Sequence, residues 1–169
     1  MFSKTSEMKS KLVLFILGCI LMAVFSNSNA QSGKVPPFRI VQSESKIFKA
    51  ENLPLDKPII IIYFSPECEE CHQLTKELLI RINEFKNVSI AMITYLSVES
   101  VSQFVTSNNL AKYPNIYVGT EGYQLFVKNY YKIEQFPFVA LFNKYGDLIK
   151  KYYSKEIDLD DLSSRLKNL

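Results

Sequence analysis

Cys68-Glu69-Glu70-Cys71 places two thiols three positions apart, just after the apolar run of residues 59–64 and ahead of an amphipathic segment that begins near Gln73. The thiolate is the reactive form of cysteine, both as nucleophile and as metal ligand. Two cysteines at this spacing close a small disulfide ring, and a helix N-terminus stabilises a thiolate placed at its mouth. His72 extends the run to Cys-x-x-Cys-His, which is also the attachment pattern of c-type haem. Haem needs a distal ligand, and beyond residue 30 the only methionine is Met92, within a strand-like run. The haem reading is therefore the weaker one, and His72 is expected on the helix surface as a modulator of the nearby thiols. Zinc needs further soft ligands, but the sequence holds no second cysteine pair and no second histidine, so neither a metal site nor a cofactor is expected.

The surrounding sequence supplies elements that could hold such a pair. Residues 59–64 form a continuous β-branched and aromatic run, the pattern of a strand covered on both faces. Leu74, Leu78, Ile82 and Phe85 recur at helical spacing after the dithiol, and residues 88–94 form the next strand. Strand, helix and strand in that order make a βαβ unit. Ser97 is a candidate N-cap for a helix through Val98, Val101, Phe104 and Val105, ending near Asn108-Asn109. Further along, residues 115–118 read as a short strand, 123–130 as a short helix and 138–142 as a strand. Asn143-Lys144-Tyr145-Gly146 is a hairpin turn, with Gly146 supplying positive φ, and residues 147–153 pair back antiparallel. Ile157, Leu159, Leu162 and Leu166 define a last helix from near Asp158 or Asp160. Residues 38–41 read as a strand and 46–53 as ambiguous, while Asn87-Val88-Ser89 is taken as a turn. The ten tyrosines are expected to fill strands and grooves.

Lys4, Lys9 and Lys11 precede an apolar stretch at 12–25 and a small polar segment ending in Ala30-Gln31, the layout of a secretory signal peptide over residues 1–30. An apolar stretch of about 14 residues is short of the roughly 20 that span a bilayer. Ile16-Leu17-Gly18-Cys19 resembles a lipoprotein box, but the apolar run continues past Cys19, which makes lipid anchoring there the lesser reading. Export to the bacterial periplasm or cell surface is the expectation. Residues 31–37 read as a linker and 38–169 as one domain. Without the first 30 residues the chain carries 17 basic and 16 acidic side chains and no basic block, which argues against a nucleic-acid partner.

The apolar strand ending in Tyr63-Phe64, the segment Ser65-Pro66-Glu67-Cys68-Glu69-Glu70-Cys71, the helix after it and the later Phe136-Pro137 before residues 138–142 stand in a familiar order. Over roughly residues 35–169 the chain resembles the thioredoxin-like family, and within it the exported branch typified by the periplasmic proteins TlpA and ResA. The resemblance implies an α/β fold with a central mixed sheet flanked by helices. It implies thiol-disulfide oxidoreductase activity, with Cys68 as the exposed nucleophile, Cys71 as the buried resolving thiol, and a cis Pro137 facing them. The backbone of Phe136 would then pair with an extended substrate segment. A monomer is expected, acting on disulfide-containing proteins and recharged by a membrane electron donor.

Two departures from the family pattern bear on mechanism. Glu67 stands where a tryptophan usually precedes the first cysteine, and Ile62 stands six residues before Cys68, where thioredoxins bury an acid. Glu67, Glu69 and Glu70 are candidate modulators through water, against a plainer role as solvated charges. Two glutamates beside Cys68 oppose a thiolate there, so a reducing pair is expected. A different class of function stays open: a binding module with a static Cys68–Cys71 disulfide and a partner groove beside Phe136-Pro137.

Overall fold

In a computed structural model of the chain, residues 33–54 and 56–169 are described. The signal-peptide and Cys19 readings fall outside them. Seven strands form one sheet: β1 (Arg39–Val41), β2 (Ile47–Lys49), β3 (Ile59–Tyr63), β4 (Ser89–Thr94), β5 (Ile116–Thr120), β6 (Phe138–Phe142) and β7 (Leu148–Tyr153). Their spatial order is β2-β1-β5-β4-β3-β6-β7. The central β5, β4 and β3 run parallel, and β6, β7, β1 and β2 add antiparallel on either side. The helices are α1 (Glu69–Ile80), α2 (Val98–Ser107), α3 (Phe126–Tyr131) and α4 (Leu159–Leu166). Among the described residues no helix is long and apolar enough to cross a membrane.

The all-apolar β3 is explained by period-two alternation between two buried faces. Ile60, Ile62 and Phe64 pack in one core with Cys71, Leu74 and Leu78 of α1, Val101 and Phe104 of α2, and Leu159 and Leu162 of α4. Ile59, Ile61 and Tyr63 face the other way, against Phe38, Ile40, Phe48 and the α3 residues Val127 and Tyr131. The end of β3 is thus gripped on both sides, which fixes the point where the chain turns toward the cysteines.

Several boundaries differ from the pattern-based expectation. The helix after the dithiol starts at Glu69, ahead of the amphipathic stripe near Gln73, so Cys68 precedes it as N-cap and Cys71 lies in its first turn, as the placement of the dithiol at a helix start implies. It also stops earlier: Arg81, at φ −103° and ψ 18°, ends it, and Ile82–Glu84 form a 3-10 turn that still brings Phe85 into the core. The 46–53 segment resolves into β2 and a 3-10 turn at Ala50–Asn52. The 123–130 segment is a 3-10 turn at Gly122–Gln124 followed by α3. In the segment expected as a linker, Lys34 bridges Asp147 and the Val35 N–H donates to Gly146 O, so this stretch docks against the β6–β7 turn. In that turn Gly146 has φ +77°, and Asn143 Oδ1 accepts from the N–H groups of Tyr145 and Asp147.

Candidate active site around Cys68 and Cys71

Cys68 follows the buried end of β3 by a short turn closed by its own N–H donating to Ser65 O at 3.0 Å. The N–H groups of Cys71 and His72 donate to Cys68 O at 3.1 and 3.2 Å, opening α1. This geometry separates the two thiols. Cys68 is half-buried at the helix mouth, whereas Cys71, one turn in, is 1% exposed and packs in the core. Both are free thiols. Burial pushes the Cys71 thiol well above the usual thiol range, and its hydrogen bond with Cys68 adds to the effect.

The Cys68 thiol has two acceptors within reach, Glu70 Oε2 at 3.4 Å and Phe136 O at 3.8 Å. One proton can serve either. The Glu70 carboxyl is held below its ordinary range by a backbone N–H at the helix start and then by the Cys68 thiol. Glu69 and Glu70 both lie in the first turn of α1, where they compete with any thiolate for the positive end of the helix dipole. Glu67 and Glu69 are both exposed, and the Glu67 N–H donates to Ser65 Oγ at 3.3 Å. Of the three glutamates, the structure brings Glu70 alone into contact with a thiol. Ile62 is buried in the core, leaving an apolar contact where the family pattern has an acid.

His72 lies on the α1 surface as expected, but it is not free. Its Nε2 bonds to Pro66 O at 2.8 Å, donating, and its ring packs against Phe104 at 5.1 Å, so it ties the turn before Cys68 to α1 and α2. Across from the thiol, the Phe136–Pro137 bond is cis, with Pro137 buried and Phe136 half-buried. The arrangement places one accessible thiol beside a backbone carbonyl, with a second thiol sealed behind it.

Three site residues escaped the sequence reading. Glu121, 6% exposed at the end of β5, accepts from Tyr63 OH at 2.6 Å, Val127 N at 2.7 Å and Lys128 N at 3.3 Å. Burial, and then the Glu121 contact, drive the Tyr63 phenol far above its normal range. The Tyr63 and Tyr95 rings each stack on Phe136 with centroids 5.9 Å apart, which makes these tyrosines neighbours of the thiol site rather than filling alone. A faint signal existed in Tyr63, a phenol inside an otherwise aliphatic buried strand, because buried phenols demand a partner.

No family model and no curated protein sequence matches the chain. Solved structures do. A secreted disulfide oxidoreductase of Mycobacterium tuberculosis, described as homologous to DsbE of E. coli, superposes with a TM-score of 0.63 at 18% identity, covering 79% of this chain and 96% of that one. A thiol-disulfide oxidoreductase of Bacteroides fragilis gives 0.64 at 15% identity, over 80% and 98%. A thiol peroxidase of Chromobacterium violaceum gives 0.66 at 17% identity, over 80% and 84%. These likenesses span nearly the whole length of each neighbour, at identities where only architecture is shared. The α/β architecture of this chain, a mixed sheet with a dithiol at the mouth of α1, is the thioredoxin-like fold.

Proposed function

We propose that this protein is an exported thiol-disulfide oxidoreductase that reduces disulfides of periplasmic or cell-surface proteins. The observation that carries the reading is the asymmetry of the two thiols, Cys68 half-buried with Phe136 O at 3.8 Å and Cys71 buried directly behind it. As a thiolate, Cys68 attacks one sulfur of the substrate disulfide; that S–S bond breaks, a mixed disulfide forms, and the leaving sulfur takes up a proton. Cys71, relieved of its proton, attacks Cys68 Sγ. The Cys68–Cys71 disulfide forms as the mixed disulfide breaks, and the second substrate thiol departs. Two electrons and two protons pass from the protein to the substrate in each cycle. A membrane-bound dithiol donor returns them by the same exchange run toward the protein.

The accessible backbone beside the thiol supports an extended segment as substrate, since a strand-like peptide bonds through its own amides. The acidic first turn of α1 supports a reducing poise. The deciding measurement is the potential of the Cys68–Cys71 couple in glutathione and dithiothreitol buffers. A value between about −300 and −200 mV with turnover of a protein disulfide fits a reductase. A couple that stays oxidised below about −300 mV would mark a static disulfide and defeat the proposal.

A further inference from the structure

Beside Cys68, on the side of Phe136, lies a platform whose chemistry is unlike that of the α1 side. The Phe136 ring stacks on Tyr63 and on Tyr95, and Lys128 Nζ lies 5.1 Å from the Tyr95 centroid and 5.7 Å from that of Phe136. Among the described residues Lys128 forms no ion pair. Its position is nonetheless built. Buried Glu121 accepts the Lys128 N–H and the Tyr63 OH through the same oxygen, so one side chain fixes the phenol beneath Phe136 and the turn that carries the lysine. On the α1 side Glu70 Oε2 lies 3.4 Å from the thiol, with Glu69 beside it in the first turn and Lys155 near enough to act on Glu70, so carboxylates predominate toward α1 and the Lys128 ammonium stands toward Phe136.

An ammonium over two ring faces is oriented without being neutralised, because the rings offer a quadrupole and no charge. A substrate side chain on that side of the thiol meets an aromatic floor and a cation with no ion-pair partner. Resting on the oxidoreductase reading, we infer that Lys128, with Tyr95 and Phe136, forms a specificity subsite for a carboxylate side chain flanking the disulfide cysteine of a polypeptide substrate. The glutamates on the α1 side repel the same carboxylate, so the subsite also fixes the direction in which the substrate lies.

The test uses the reduced protein and peptides with one cysteine in mixed disulfide with a reporter thiol. Two series carry Asp, Asn or Lys either just before or just after the cysteine. In one series the second-order rate should fall from Asp to Asn to Lys, by about three-fold per step at low salt, as an exposed ion pair allows, and the spread should shrink with added salt. K128E should invert that series and leave the other as it was, while K128Q should flatten it. Both variants keep the backbone N–H that bonds Glu121. Bis(2-hydroxyethyl) disulfide, which is uncharged, should be reduced at the same rate by all three proteins. An unchanged order in K128E would overturn the subsite. So would an equal change for every peptide and for the uncharged disulfide, which would assign Lys128 to the thiol rather than to the substrate. Failure of the unsubstituted protein to reduce even the uncharged disulfide would instead defeat the oxidoreductase reading, and the subsite with it.

Discussion

Cys68 and Cys71 differ by one helical turn and by nearly everything that governs a thiol. The first caps α1 at the surface and the second is sealed in the core with Leu74 and Leu78. Replacing Cys71 by Ser should therefore leave mixed disulfides with substrate proteins unresolved, visible as adducts that vanish on reduction, whereas Cys68→Ser should trap none. Adducts from Cys68→Ser alone would reverse the roles. Glu70 bears on the same atom from 3.4 Å: the Cys68 thiol can donate to its carboxylate, but a thiolate would be repelled by it. With Glu69 also in the first turn, the helix dipole is shared among three groups that all want negative charge. Replacing Glu69-Glu70 by Pro-His should stabilise the thiolate and hence the reduced form. The potential would then climb from nearer thioredoxin's about −270 mV toward DsbA's about −120 mV. A potential that stays put or falls, read by equilibrium with glutathione, would remove the electrostatic account of the reducing poise.

At the scale of elements, packing contacts decide what the local pattern leaves open. Gly119 in β5 is an instance: a Cβ there would lie 2.8 Å from Val41 O and 2.9 Å from Ile40 Cβ, because β1 crosses close against it. Backbone cannot yield as a side chain can, so Gly119→Ala should destabilise the fold by about 1–3 kcal/mol, measured by denaturant unfolding, with the rate on an uncharged disulfide retained. A variant as stable as the parent would mean that β1 is free to shift. The close contact and the length of β5 have one cause. The sequence suggests a strand ending at Val118, but Val41 pairs with Thr120 and carries the strand on. By contrast β3 and β6 are plain in the sequence, since β-branched and aromatic runs buried on both faces leave no polar position to mislead. The apolar stripe alone places the start of α1 late, because Leu74 comes five residues after Glu69, whereas the dithiol at a strand-to-helix junction marks it. Cys68, Cys71 and Phe136-Pro137 were legible from type and order. Glu121 was not: a glutamate after a strand reads as solvated, and its burial is made by Tyr63, 58 positions away, and by two amides of α3.

For the molecule as a whole, the wall behind the thiols is held by carboxylates that acid will remove. Arg81 at the end of α1 grips Glu84 through two nitrogens at 2.8 and 2.9 Å and reaches Asp160 at 2.8 Å, while Ser163 donates to Glu84 at 2.6 Å. Asp161 accepts from Arg165, Lys150 and Tyr152, joining α4 to β7. Arg81 and then Ser163 bring the Glu84 carboxyl from the ordinary 4.5 down to about 2. Asp161 is also held well below its usual range, first by Arg165 and then by Lys150. A carboxyl whose pKa is lower in the folded chain than in the unfolded one contributes stability that is complete above the unfolded value and fades as pH falls toward the folded value. The window for Glu84 therefore runs from about pH 4.5 down to about 2. Because Leu159 and Leu162 of α4 share a core with Cys71, this is also the window in which the buried thiol should lose its cover. Hydrogen exchange should find the α4 amides protected at pH 5 and progressively open below 4.5, and a disulfide reagent active in acid should reach Cys71 over the same range. Glu84→Gln with Asp161→Asn should weaken α4 at neutral pH and flatten this acid dependence; a double variant with the parent's acid profile would place the acid-sensitive contacts elsewhere.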